Sequence, residues 1–320
     1  MVTRSIFADI SCLGIAILSA GAVCAQDYPN RPVRIITSGA GGSSDIIARL
    51  VAQGMAGPLG QQVIVENRPT GVIPGQTVAQ AAPDGYTLLI SGGTLWTSTL
   101  LRKTSYDAIR DFAPITLIEN SVSVIAVHPS VPVKSVKDLI ALAKTRPGEL
   151  NYTSSGAGST SHLTMELFKS MANIDIVHVP YKSNSAAMID LLGGQVQLSF
   201  ISASSVVPHV KSGKLRAVAV SSASPSALAP GVPTVAGSGV PGFEAVSMTA
   251  MLAPAKTPIS IIRRVNEEAV RYIHTPEAKE IFLKNGAEAV GSTPEQLAAA
   301  MKTDMERLGK LIRDLNLRVD

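Results

Sequence analysis

Beyond residue 25 the chain has no cysteine: the two in the 320-residue sequence, Cys12 and Cys24, both lie in its first 25 residues. Disulfide staples and thiol nucleophiles are therefore excluded from the remainder. Aromatic residues are scarce, 4% of the chain with Trp96 the single tryptophan, and no run of four basic residues occurs despite a formal net charge of +4. Nucleic-acid binding calls for clustered positive charge interleaved with aromatic platforms, so that class of partner is set aside. His128, His178, His209 and His274 show no metal-ligand spacing, and no metal or other cofactor is expected. A G-x-S-x-G elbow and a Gly-Lys-Ser/Thr phosphate loop are also missing. The expectation is a non-enzyme with no catalytic residues.

What is present begins with a leader. Arg4 precedes a mostly apolar stretch at 10–23, and Val23, Cys24 and Ala25 are small residues before Gln26. This pattern predicts a cleaved signal peptide over 1–25 and a periplasmic location. The stretch 10–25 falls short of the roughly 20 apolar residues that span a membrane. A lipoprotein reading through Cys24 fits less well, because Gly21-Ala22-Val23 is the wrong run before it. An exported chain of roughly 295 residues without disulfides depends on buried apolar surface and divides into two lobes. The modest, scattered positive charge suits a small organic anion.

Hydrophobic periodicity predicts strands at 33–36, 63–66, 86–90, 150–153, 176–180, 196–201 and 215–221, with helices at 45–55, 135–144, 186–192 and after residue 162. Residues 67–76 and 91–94 read as loops. Thr257-Pro258, Thr275-Pro276 and Thr293-Pro294 each read as an N-cap followed by proline at the first helical position, opening three C-terminal helices. The apolar run at 122–127 carries the chain out of the first lobe, and the Pro/Gly/Ser/Ala-rich 223–242 reads as the return crossing. The resulting division is lobe 1 at 26–122, lobe 2 at 123–225, and a crossing plus a second segment of lobe 1 at 226–320. Strands alternating with helices make each lobe α/β, a mostly parallel sheet flanked by helices.

One loop is written twice. SGAGGSSD runs from Ser38 to Asp45 and SGAGSTSH from Ser155 to His162, 117 positions apart. In both places a strand feeds a glycine-rich turn that opens a helix, which gathers unpaired N–H groups around roughly half a positive charge. Either the glycines only turn the chain tightly, or the two loops face each other across a cleft as halves of one anion site. Ser43, Ser44, Ser159, Thr160 and Ser161 would add hydroxyl donors. The dinucleotide fingerprint fails, because Ser44 stands where a third glycine is wanted.

Several runs carry a resemblance that covers essentially the whole chain after the leader. They include YPNRPVRIITSGAGGSSDIIARLVAQ, VIVENRPTG, AAPDGYTLLIS, VHPSVPVKSVKDLIALAK, NYTSSGAGSTSHLTMELFKSMANIDIVHVPYK, DLLGGQVQLSF, APGVPTVAGSGVPGFEA, LAPAKTP and GSTPEQLAA. Together they resemble the Bug family of extracytoplasmic solute receptors of the tripartite tricarboxylate transporter group. The resemblance implies a two-lobed, type II-like periplasmic binding protein, monomeric, that holds an organic anion and delivers it to membrane permease subunits. The expected ligands are di- or tricarboxylates, acidic amino acids or aromatic acids. It implies ligand contacts at Ser38, Gly39, Ala40, Gly41, Gly42, Ser43 and Asp45 in the first loop. In the second lobe it implies Ser155, Gly156, Gly158, Ser159, Thr160 and His162, with Thr94, Tyr181 and Ser202 nearby.

The chain departs from the family pattern at Tyr181-Lys182-Ser183-Asn184, where Tyr-Lys-Gly is usual, and at RPTGVIPGQT over 68–77. Lys182, Ser183, Asn184 and Trp96 are therefore the candidates for choosing among ligands. Trp96 either lines the cleft and stacks on an aromatic acid or anchors a core. Lys182 either pairs with a distal carboxylate or is solvated. His162 reads as a hydrogen-bonding residue, and Asp45 as a complement to the helix dipole that caps backbone groups. Two other functions are alternatives: a ligand sensor feeding a two-component kinase, which would share every pocket residue, and, from another class, an exported α/β hydrolase acting on an acid or ester.

Overall fold

A computed structural model describes residues 28–41, 43–69, 71–181 and 183–314; the leader, Gly42 and Lys182 lie outside the described residues. The chain opens with β1 (Val33–Thr37), α1 (Ser43–Leu59), β2 (Val63–Asn67), α2 (Ile73–Ala79), β3 (Thr87–Gly92) and α3 (Thr94–Leu101). β1 pairs in parallel with β2 on one side and β3 on the other. Val33, Ile35 and Ile36 are all buried, as expected of a strand covered on both faces. Against one face pack Val51 and Met55 of α1 with Ile262 and Val265 of α8 (Ile259–Ile273). α1 and α8 come so close at Gly54 that a Cβ there would lie 2.1 Å from the Tyr272 ring. Against the other face pack Leu95 and Trp96 of α3 with Leu297 and Met301 of α10 (Pro294–Asp314).

β4 (Phe112–Val127) leaves this sheet and enters a second. Its first part pairs with β9 (Val246–Pro254) and the two-residue β10 (Glu288–Ala289), its last part with β7 (Leu198–Ser202) and β8 (Arg216–Val220). The second lobe is built from α4 (Val136–Thr145), β5 (Asn151–Ser154), α5 (Thr160–Ala172), β6 (Val177–Pro180), α6 (Asn184–Leu192), β7, α7 (Ala203–Lys211) and β8. In the first sheet β1 to β4 share one direction and β9 and β10 oppose it; in the second, β5 to β8 agree and β4 opposes them. Phe168, Phe200 and Phe243 interlock at the centre of the second core, with ring centroids 5.8 to 6.1 Å apart. Burying each ring contributes about 2 to 3 kcal/mol.

The structure corrects the sequence reading in five places. The expected loop at 67–76 contains the start of α2, with Pro74 pre-set for a first helical turn. At 91–94, β3 continues to Gly92 and α3 begins at Thr94, so Trp96 is helical. β4 begins at Phe112, well before the apolar run at 122–127. α7, spelled ASSVVPHVK, carries no helical signal; serine, valine and proline are weak helix formers, and packing of Ala203 and Val206 outweighs them. Finally, 223–242 is no crossing. Val235 and Val240 sit in the second core, and β9 is the return.

The proline-led helices follow expectation at two of three sites. Thr275 caps α9 (Pro276–Lys284) through Ala278 N–H. Thr293 and Gln296 exchange hydrogen bonds in a capping box at the start of α10. At the third site Pro258 is itself the cap residue of α8, and the Thr257 hydroxyl donates to the Pro254 carbonyl. Among the described residues no helix is long and apolar enough to cross a membrane.

Candidate functional site: a cleft ringed by helix starts

Five of the connections that lead from a strand's carboxyl end into a helix deliver a helix N-terminus to one place. The first residues of α1, α3, α5 and α6, namely Ser43, Thr94, Thr160 and Asn184, together with Ser204 at the start of α7, line a single cleft of about 870 Å³. This is where open α/β sheets place their ligands. Each start contributes N–H groups without intrahelical partners and a partial positive charge. Apart from Arg307, which extends the cleft along α10, no lysine or arginine among the described residues lines it. The Arg307 guanidinium is committed to Asp304, at 2.5 Å, and to the Glu244 carbonyl. What the cleft offers to negative charge is therefore mainly backbone N–H groups and hydroxyls, beside an Arg307 that is paired with Asp304 and keeps only Nε without a partner.

The doubled spelling has a doubled geometry. Gly41 has φ of 80° and its N–H donates to Asp45 Oδ2 at 2.9 Å; Gly158 has φ of 75° and its N–H donates to His162 Nδ1 at 3.0 Å. In each loop a left-handed glycine is clasped by the side chain four residues on. Both clasping side chains are 4% exposed and neither lines the cleft. Asp45 and His162 thus shape the loops, and the Gly41 and Gly158 N–H groups are spent on them. Burial opposes ionisation of Asp45, but the Gly41 N–H, the Asn67 amide and Arg49 outweigh it and hold the carboxyl below its usual range. Asn67 also donates to the Ser38 carbonyl at 2.7 Å, tying the first loop to β2.

The second loop rests on stacked rings. His162 lies over His178, with centroids 4.2 Å apart, and His178 over Tyr152 at 4.8 Å. His178 Nε2 meets the Ser154 hydroxyl at 2.7 Å, and Tyr152 donates to Glu166, which also binds Lys169. Burial, with His162 and Lys169 adding, pushes His178 down to about 4, and burial lowers His162 too. Between a histidine's ordinary value of about 6.5 and about 4, the unfolded chain binds a proton that the folded one refuses. Stability is therefore full above that window and falls as pH drops through it. Thermal melts from about pH 7 to about pH 4.5 should show a steeper decline for the wild type than for His178→Gln; parallel declines would remove the stack as the cause.

Of the other expected contacts, Ser155, Gly158, Ser159 and Ser202 border the cleft, as do Ser43, Thr94, Thr160 and Asn184 already placed there. Ser38, Gly39, Ala40, Gly41 and Gly156 do not. Nor does Tyr181, whose hydroxyl donates to Asp190 at 2.5 Å. Ser183 is the N-cap of α6, accepting from Ala186 N–H, so it shapes the wall without forming it. Of the two alternatives for Trp96 the structure shows the core anchor, not the cleft wall: it is fully buried, and its indole N–H donates to Asp304 Oδ2 at 2.8 Å. Sequence reasoning missed Glu119, Ser121 and Ser123 of β4 and Ser247 of β9, which line the cleft between the lobes. The signal was there: polar residues at alternate positions of ENSVS give one polar face to an otherwise apolar strand.

Comparison with known proteins agrees with this architecture. An R. palustris protein solved with adipate superposes with a TM-score of 0.74 at 32% identity, over 91% of this chain and 99% of that one. MatC from Rhodopseudomonas palustris, solved with bound malate, gives 0.71 at 27% identity, over 89% and 100%. Protein BugT of Bordetella pertussis is 34% identical over 319 residues, 97% of this chain and 98% of BugT. The profile of the tripartite tricarboxylate transporter family receptor matches residues 47–317. The chain therefore belongs to the tripartite tricarboxylate transporter receptor family, whose Bug and TctC members are solute-binding receptors and not enzymes.

Proposed function

We propose that this receptor works in the periplasm, where it captures an organic carboxylate between its lobes and presents it to the membrane permease subunits of a tripartite tricarboxylate-type transporter. The observation that carries the reading is the convergence of five helix starts on a cleft where the one lysine or arginine among the described lining residues, Arg307, is already paired with Asp304. Helix N-termini and hydroxyls are matched to an anion that must be both bound and released. The adipate and malate in the two solved relatives support a carboxylate.

The test is a thermal-shift screen of the purified mature protein against mono-, di- and tricarboxylates, adipate and malate among them. At one hundred times the dissociation constant a true ligand adds about 2.7 kcal/mol of apparent stability. At least one acid should raise the melting temperature and be recovered unchanged after release. Stabilisation by neutral or cationic solutes alone would reject the reading.

A further inference from the structure

Glu119 has no part in either loop. It lies on β4 three residues before that strand leaves the first sheet, lines the cleft, and is 3% exposed. Its Oε1 accepts the hydroxyl of Thr249, opposite it on β9, while Oε2 is buried without a partner. A buried carboxylate is tolerated when a cation or several N–H groups answer it, and among the described residues no ion pair or N–H group is in contact with the Glu119 carboxyl. β9 has no titratable residue, and β10 sets Ala289 across from Glu119. The adjacent Glu288 is engaged by Ser226 and the Ala227 N–H. On α10, Asp304 and Arg307 border the same space but are paired with each other. α1, α3 and α5 contribute hydroxyls there, and α7 contributes His209. α8 packs on the opposite face, against Ile115 and Ile118, with its Glu268 held by Arg264 and Arg271.

We propose that Glu119 recognises the ligand as a neutral carboxylic acid, donating an Oε2–H hydrogen bond to an acceptor oxygen of a carboxylate seated in the cleft. The proton belongs on Oε2 because Oε1 already accepts from Thr249. Burial, opposed by that hydrogen bond, pushes the carboxyl up to about 7, so near neutrality the free receptor is poised between its two forms. A bound anion repels the ionised form and is met by the protonated one. The ionised carboxylate, a proton from solvent and the ligand anion combine into the hydrogen-bonded complex, so binding takes up at most one proton. Glu119 then also sets specificity: an oxygen acceptor at this point of the ligand is favoured and a carbon is not.

The inference rests on the carboxylate reading above, and calorimetric titrations with adipate and with malate separate the two. Between about pH 6.5 and about pH 8.5 both probes stay dianionic, so a change in affinity reports on the protein. Wild-type affinity should be level on the acid side and fall by up to about tenfold per pH unit above Glu119's titration, with proton uptake seen as a dependence of the heat on buffer ionisation. Glu119→Gln keeps a donor and removes the charge; it should match the wild type near pH 6.5 and lose the pH dependence. Glu119→Leu should bind weakly throughout.

Wild-type binding that is independent of pH and exchanges no proton would overturn the assignment and leave the carboxylate reading standing. The assignment is equally overturned if Glu119→Gln is as weak as Glu119→Leu near pH 6.5, a result pointing to a ligand that needs the negative charge. If neither of these two binds, the titrations are repeated with the acid that the thermal-shift screen identifies, and if no acid of that screen binds at any pH, the carboxylate reading falls and takes this inference with it.

Discussion

Trp96→Ala is expected to lower the unfolding free energy by about 3 to 5 kcal/mol, among the largest effects available to one substitution in this chain. The indole is fully buried between β3, α3 and α10, in contact with the cluster of Leu89, Leu297 and Met301. Its removal leaves a void in a packed core and strips Asp304, 7% exposed, of one of the two donors that hold it. Trp96→Phe separates these terms: it refills most of the volume and loses only the N–H, for an expected cost of about 1 to 3 kcal/mol. Urea denaturation followed by circular dichroism measures both. A loss below about 1 kcal/mol for the alanine variant would contradict the core placement.

Gly158→Val should damage stability and binding together. Valine strongly disfavours φ of 75°, at an expected strain of about 1 to 3 kcal/mol, and any relaxation pulls the N–H away from His162. The neighbours Ser159 and Thr160, which face the cleft, would move with it, so affinity for a bound acid should drop by about tenfold or more. Gly41→Val is the matched test in the first loop, at φ of 80°. Gly158→Asn serves as the control, since asparagine tolerates the left-handed region and should retain much of both properties. A valine variant with unchanged melting temperature and unchanged affinity would show that the clasp does not shape the site.

Most of the element order was legible because strands such as VRIIT and helices such as the one after Asp45 announce themselves by period. What sequence reasoning missed has identifiable physical causes. α7 lacks helix propensity and exists because Ala203 and Val206 bury against the second sheet, which is invisible until the sheet is assembled. The segment 223–242 has the composition of a linker, yet Val235 and Val240 supply core volume.

At the site, the repeated loop was readable but its division of labour was not. Spelling alone does not show that the Gly41 and Gly158 N–H groups turn toward Asp45 and His162, or that α6 and α7 bring their starts to the same opening. Trp96 illustrates the general difficulty: residues just past a glycine turn can be swept to either side of a sheet, and only the register of the following helix decides.

The pairing of β4 with β9 has a consequence for engineering. Val122 and Val246 stand opposite one another in register. Everything between them, the entire second lobe, is in effect one long excursion spliced into a two-stranded ribbon whose ends already touch. Its two junctions are therefore ready-made seams. The 123–245 cassette of one receptor can be exchanged for that of a relative without altering chain order, with three contacts to match: Leu311 of α10 in the second core, Arg307 on the Glu244 carbonyl, and Glu288 on Ser226 and Ala227. Such hybrids would pair one receptor's α1 and α3 with another's α5, α6 and α7, making ligand choice a combinatorial property of two interchangeable halves.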